Sequence, residues 1–323
     1  MHKTVLLTAL LLALLATGTV AGADPPPGAT LVATIPVSSP RDVTAGFGSV
    51  WVADGPARTV TRIDPATNAV LAVVPVSRPA SVLAVGAGSI WLTSFPGDTV
   101  TRIDPVTNTV TGSVSLAPSG LGPIGITVFG GYVWVANHDG DPTSSVTKVD
   151  PVTLNIVDVI PVSSQSFAGA TKIVSALGSL WTNVPSMNAV VRIDPTTDAV
   201  TATIPSRGAC ADMAGNDQGV WVANDGGSGC QGGYPGISRI DPNGNAVTAM
   251  LNAGGQTDAL ALDGGTLWYG TTHSNFLGRI NTANNAIVGQ LKLPGPVFGL
   301  AVGYGSIWAT DPADGLLFKM VAA

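Results

Sequence analysis

Short apolar runs recur along the chain, several of them strictly alternating, and clusters of Gly, Pro, Asn and Asp separate them. Runs of that length between turn-forming residues predict β-strands rather than helices. The runs fall into a repeating unit keyed to tryptophan. All seven tryptophans share one setting: GSVW (Trp51), GSIW (Trp91), GYVW (Trp134), GSLW (Trp181), QGVW (Trp221), GTLW (Trp268) and GSIW (Trp308), spaced 40, 43, 47, 40, 47 and 40 residues apart. In the second unit, 82–85 reads as an innermost strand and 89–94 (SIWLTS) as the tryptophan strand. A third strand follows at 99–104 (TVTRID) and an outer one at 109–116 (TVTGSVSL). An Asp-Pro pair marks the last turn of the unit at 64/65, 104/105, 150/151, 194/195 and 241/242. Proline's fixed φ and the aspartate side chain set such a turn.

A period of 40 or slightly more with four strands per unit predicts an all-β, seven-bladed β-propeller with four antiparallel strands per blade. The last unit ends on 316–320 (LLFKM) with no outer strand, whereas 31–37 (LVATIPV) is an outer strand with no unit, resembling 70–76. Joining the N-terminal strand to the last blade closes the ring and removes a free edge.

Composition agrees and narrows the function. The chain is 45% hydrophobic and 11% charged, with 40 glycines, 24 prolines, and no Glu, so all 20 acidic residues are Asp. A net charge of -6 without a basic stripe argues against nucleic acid as partner. No Lys/Arg cluster suits an anionic membrane surface. Residues 1–23 have the parts of a secretory signal: His2 and Lys3, an apolar run over 5–16, and Ala-Gly-Ala before Asp24. That apolar run is too short to span a bilayer. The expected organisation is a signal peptide (1–23), a Pro-rich lead-in (24–30) and a single propeller domain (31–323). The expected product is a monomer outside the cell, in the periplasm or in the cell envelope. In such a compartment Cys210 and Cys230 are expected to form a disulfide.

Loop lengths point to one face. From Trp to the Arg or Lys of the third strand is 11 residues in five units, 14 in the third and 18 in the fifth. Extra residues fall within 117–124, 137–144, 163–170 and 224–236. In an up-and-down blade these loops lie together at the mouth of the channel, around blades three to five, where loops carry function. Polar residues expected on that face are Asp54, Asn137, Asn224 and Asp311 after the tryptophan strands, and Arg41, Asp42, Lys172, Asp212 and Asp258 at the starts of inner strands. His138 and His273 belong to loops of the same face. Asp139 and Asp141 have oxygen-ligand spacing that Ca²⁺ uses, without the Glu of an EF-hand.

The pattern W-V-A-N/D, then V-T-R-I-D-P-x-T-N-x-V, resembles the YVTN-repeat propellers over 31–320, with Trp in place of the motif Tyr. That family is a scaffold of diverse roles, so the resemblance implies fold more than chemistry. The chain is more distantly similar to streptogramin B lyases, seven-bladed propellers that open a lactone by elimination with Mg²⁺ and a His/Glu/His set. The segment 272–280 (THSNFLGRI) resembles a lyase repeat and implies His273 as a catalytic candidate, with His138, the other loop histidine of that face, as a second. The absence of Glu means that set cannot be present as such. The expected function is therefore a binding or interaction scaffold for an extracellular protein, glycan or small molecule. It needs no cofactor, Mg²⁺ or Ca²⁺ being the metals these residues would suit. A metal-assisted carbon-oxygen lyase is the alternative.

Overall fold

The computed structural model describes residues 28–119, 121–139, 144–163, 169–206, 208–224 and 235–323. Among them every regular element is a strand, apart from two short 3₁₀ turns at Phe95–Gly97 and Pro185–Met187. The strands form seven antiparallel sheets of four. Blade one comprises Pro40–Gly46, Ser49–Asp54, Thr59–Ile63 and Val70–Pro75 from the axis outward, and five more blades follow the same order. The seventh takes Gly299–Gly303, Ser306–Asp311 and Leu316–Ala322, and its outer strand is Ala29–Pro36 from the start of the chain. Ala29 opposes Ala322 and Pro36 opposes Leu316, so the two ends of the chain lock the ring.

The repeated residues explain why seven sheets make one body. Each tryptophan is at most 1% exposed and wedges its own blade against the next. Trp134 of blade three, for example, packs in one cluster with Ile173, Leu180, Val191 and Ile193 of blade four. Five of the seven inner turns hold two successive residues at positive φ: Phe47-Gly48, Ala87-Gly88, Gly130-Gly131, Leu177-Gly178 and Tyr304-Gly305. This is the hairpin geometry that matches strand twist. In those five blades the indole N–H donates to the carbonyl just ahead of the turn, at 3.0–3.2 Å. Blades five and six turn differently, with only Gly264 positive among Asp217, Gln218, Gly264 and Gly265. There the indole N–H groups of Trp221 and Trp268 are buried without a partner among the described residues.

The recurring Arg and the Asp-Pro turn are two halves of one joint. Arg62 lies over Trp51, 5.1 Å from the ring centre, and donates to the Pro105 carbonyl (2.8 Å) and Asn108 Oδ1 (2.9 Å) of the next blade. Arg192 does the same to Pro242 and Asn245, and Lys319 carries the joint across the closure to Pro65 and Asn68. Each turn is held ready for its cation. Asp64 Oδ1 accepts the N–H groups of Ala66 and Thr67, and Asn68 takes φ 62°, a left-handed conformation Asn tolerates. One joint is poorer. Arg279 of blade six faces a blade without that turn, reaches only the Ala323 carbonyl at 3.4 Å, and leaves its Nε without a partner among the described residues.

Candidate functional site

Because the blades repeat, equal offsets from tryptophan fall at equal heights around the channel. Ten residues ahead of each Trp stand Arg41, Ser81, Ile124, Thr171, Ala211, Asp258 and Phe298; nine ahead stand Asp42, Val82, Gly125, Lys172, Asp212, Ala259 and Gly299. The upper set lines a cavity of about 690 Å³ at the channel mouth, to which all seven blades contribute. Of the other set, Asp42, Val82 and Lys172 also line that cavity, and Asp42, Val82, Gly125, Lys172 and Asp212 line a second space of about 220 Å³ beneath it.

The upper tier is fixed by the preceding blade. Thr93 Oγ1 donates to the Ile124 carbonyl (2.8 Å), Asn183 Nδ2 to that of Ala211 (3.2 Å) and Thr310 Oγ1 to that of Arg41 (3.3 Å). The carboxylates are held by backbone too. Asp42 Oδ2 accepts the Leu83 N–H (2.7 Å) and Asp212 Oδ2 the Leu260 N–H (3.0 Å), each from the neighbouring inner strand. Asp258 Oδ2 accepts both the N–H (3.1 Å) and the hydroxyl (2.5 Å) of Thr272.

Lys172 stands 3.3 Å from Asp212, the two side chains keeping 26% and 16% of their surface toward the channel. Burial alone would lower the Lys172 pKa, but Asp212 and then Asp42 hold it above its ordinary value. Burial pushes Asp42 up to about 6, against the lowering influence of Lys172 and of the Leu83 N–H. The wall above is apolar: Pro56, Pro79, Pro96, Phe95 and Phe298, with Phe95 37% and Phe298 44% exposed.

The sequence-derived residues thus separate. Arg41, Asp42, Lys172 and Asp258 line the mouth, and Asp212 lies just below. Asp54, Asn137, Asn224 and Asp311 are at most 2% exposed. Asp54 accepts backbone N–H groups of Ser38, Ser39 and Ala57, and Asp311 Oδ1 those of Ala313 and Asp314, so both cap turns. Asn137 Nδ2 donates to Ser145 and Thr147, and Asn224 Nδ2 to Ser238. Burial raises the pKa of Asp54 and of Asp311. His138 on blade three and His273 on blade six are three steps apart in the ring, and neither lines the mouth. His138 Nδ1 meets Asp139 Oδ1 and its ring lies edge-on to Phe95. Among the described residues no three His, Cys, Asp or Glu side chains are placed to share a metal ion. Asp141 and Cys230 lie outside the described residues, whereas Cys210 lines the mouth.

Parts of the inserted loops do meet. His138 and Asp139 N–H groups donate to the Gly122 and Leu121 carbonyls, and the Gly169 N–H to Ser144 Oγ. Missed at the sequence level were Phe95, Phe298 and the prolines. Counting back from each tryptophan places Phe298 on the same tier as Arg41 and Asp258, and that count was the available signal.

No family model and no curated protein matches this chain. Solved structures do. A streptogramin B lyase aligns at TM-score 0.72 and 21% identity, covering 91% of this chain and 97% of that one. Hydrazine synthase of Kuenenia stuttgartiensis aligns at TM-score 0.75 and 14% identity, covering 89% and 96%. Likeness at such identities establishes the propeller fold and leaves function to the site.

Proposed function

We propose that the protein is an exported binding scaffold that holds a small molecule at the mouth of its channel, through the loops on that face around blades three to five. The observation that carries this reading is the cavity of about 690 Å³ built from all seven blades. That volume lies in the range of small-molecule sites, and an apolar wall with a few fixed charged groups is their usual lining. The repeat pattern shared with YVTN-type propellers supports a scaffold. The lyase alternative is less well supported, since the chain has no Glu and its two loop histidines stand on distant blades.

Filling the cavity tests the proposal. Ala211→Trp, on the upper tier, should abolish binding of compounds that raise the melting temperature of the unmodified protein in a small-molecule screen. Its circular dichroism should stay the same. If no compound shifts the unmodified protein, or the same compounds shift both, the cavity is not the site.

Export and a Cys210–Cys230 bridge belong to the same reading. A bridge closing a loop of about 20 residues contributes roughly 3 kcal/mol through chain entropy. The intact mass of protein recovered from outside the cytoplasm should match a chain starting at Asp24 and lacking two hydrogens. A retained leader, or a mass unchanged by reduction, would refute these two points.

A further inference from the structure

We infer that the mouth cavity takes an organic cation, its ammonium head seated at the throat against Asp42 and its apolar body held among Phe95, Phe298 and the prolines of the wall. The inference rests on the binding reading above and names the ligand class.

Charge at the throat decides it. Of the seven residues on the lower tier, only Asp42, Lys172 and Asp212 are charged. Lys172 is committed to Asp212 at 3.3 Å. Asp42 has no ion-pair partner among the described residues, so the tier carries one surplus negative charge. The N–H groups of Leu83 and Val43 stabilise its carboxylate without neutralising it. Its other neighbours at that height, Val82, Gly125, Ala259 and Gly299, offer no titratable group. On the tier above, the facing charges are Arg41 beside it and Asp258, already occupied by Thr272.

Arg41 is the competing attraction, since it would favour an anion. It is exposed at the rim, where water weakens a Coulomb interaction relative to that of the more deeply buried Asp42 below it. The surplus carboxylate below therefore dominates. Two partly exposed phenyl rings add to the same preference, because an aromatic face attracts a cation and repels an anion. A bare metal ion suits the throat less well, because the Lys172 ammonium already sits beside Asp212.

The raised Asp42 pKa supplies the linkage. A carboxyl whose folded pKa lies above its unfolded value binds more protons when folded, so stability falls as pH rises from about 4 to about 6. A cation entering at neutral pH takes the place of that proton. At about pH 5 a group titrating near 6 is ionised in roughly one molecule in eleven, so cation affinity should fall about tenfold from its value at about pH 7.5.

The test is calorimetric titration of the whole mature protein with three matched aryl probes: benzyltrimethylammonium, benzyl alcohol and phenylmethanesulfonate. The cation is expected to bind at least about tenfold more tightly than the other two at about pH 7.5 and to lose that margin at about pH 5. Asp42→Asn should lose it at both. Benzyl alcohol binding by Asp42→Asn equal to that of the unmodified protein, with an unchanged circular dichroism spectrum, guards against a folding defect in that variant. Equal or better binding of the sulfonate, a preference that survives Asp42→Asn, or no binding of the cation would overturn the inference. The first two leave a small-molecule site standing with a different ligand, whereas failure of the cavity reading shows as insensitivity of every bound compound to Ala211→Trp.

Discussion

Deleting residues 28–37 should cost the protein its closed fold. That segment is the outer strand of blade seven, paired along its length with Leu316–Ala322. Ala29, Ile35 and Val37 are each at most 8% exposed, and the Val37 N–H also donates to the Gly315 carbonyl. Burying side chains such as Ile35 and Val37 stabilises by roughly 1.5–3 kcal/mol each, and the lost ladder adds about 0.5–1.5 kcal/mol per hydrogen bond. The sum is comparable to the whole stability of an ordinary domain, about 5–15 kcal/mol. The deletion also bares a long strand edge, which promotes pairing between molecules. Thermal melting and size-exclusion chromatography should show aggregation, or a melting temperature lowered by more than about 10 °C. A peptide spanning 28–37, added in trans, should restore part of the loss. A truncated chain that elutes as the full one does and melts within about 3 °C of it would show that the ring does not depend on this strand.

The second large effect concerns the tryptophan wedges, and it should differ between blades. Trp134→Ala empties the contact between blades three and four and is expected to cost about 3–5 kcal/mol. Trp→Phe is the finer probe. At Trp134 it removes a hydrogen bond to the Phe129 carbonyl. At Trp268 it removes a buried N–H that has no partner among the described residues. Leaving an acceptor unmet costs about 1–3 kcal/mol, while removing an unmet donor gives some stability back. Trp134→Phe should therefore be the more destabilising of the two by at least about 1 kcal/mol in denaturant melts. Equal losses would mean that the turn geometry does not govern the indole.

These predictions show which part of the molecule was legible as sequence. Seven copies of one setting around Trp, and an outer strand at the wrong end of the chain, suffice for the architecture, because repetition averages out local ambiguity. The charged residues at the mouth were legible for the same reason, since Arg41, Asp42, Lys172, Asp212 and Asp258 occupy positions where other blades carry small or apolar residues. What could not be separated in advance was Asp54, Asn137, Asn224 and Asp311 from them. Polar residues at the end of a strand look alike as letters, but three positions after the tryptophan they are almost wholly buried, bonded to turn backbone (Asp54, Asp311) or to the next strand's hydroxyls (Asn137, Asn224). Phe95 and Phe298 were missed for the opposite reason: Phe is read as core, and only the ring of blades shows these two facing open space.

The register of the closing strand pair has a mechanical consequence. Ala29 lies opposite Ala322, and the Ala323 N–H donates to the Gly28 carbonyl, so the outer ends of the two closing strands meet at the same point of the ring. A force pulling those ends apart loads the hydrogen bonds of the pair one after another rather than all at once in shear. The ring should then peel open like a zip, starting at the junction of blades six and seven, where Arg279 makes its poorer joint. Tension applied between two inner blades meets instead a packed tryptophan and an arginine clamp together. The same fold is thus soft along one line and stiff around the rest of its circumference.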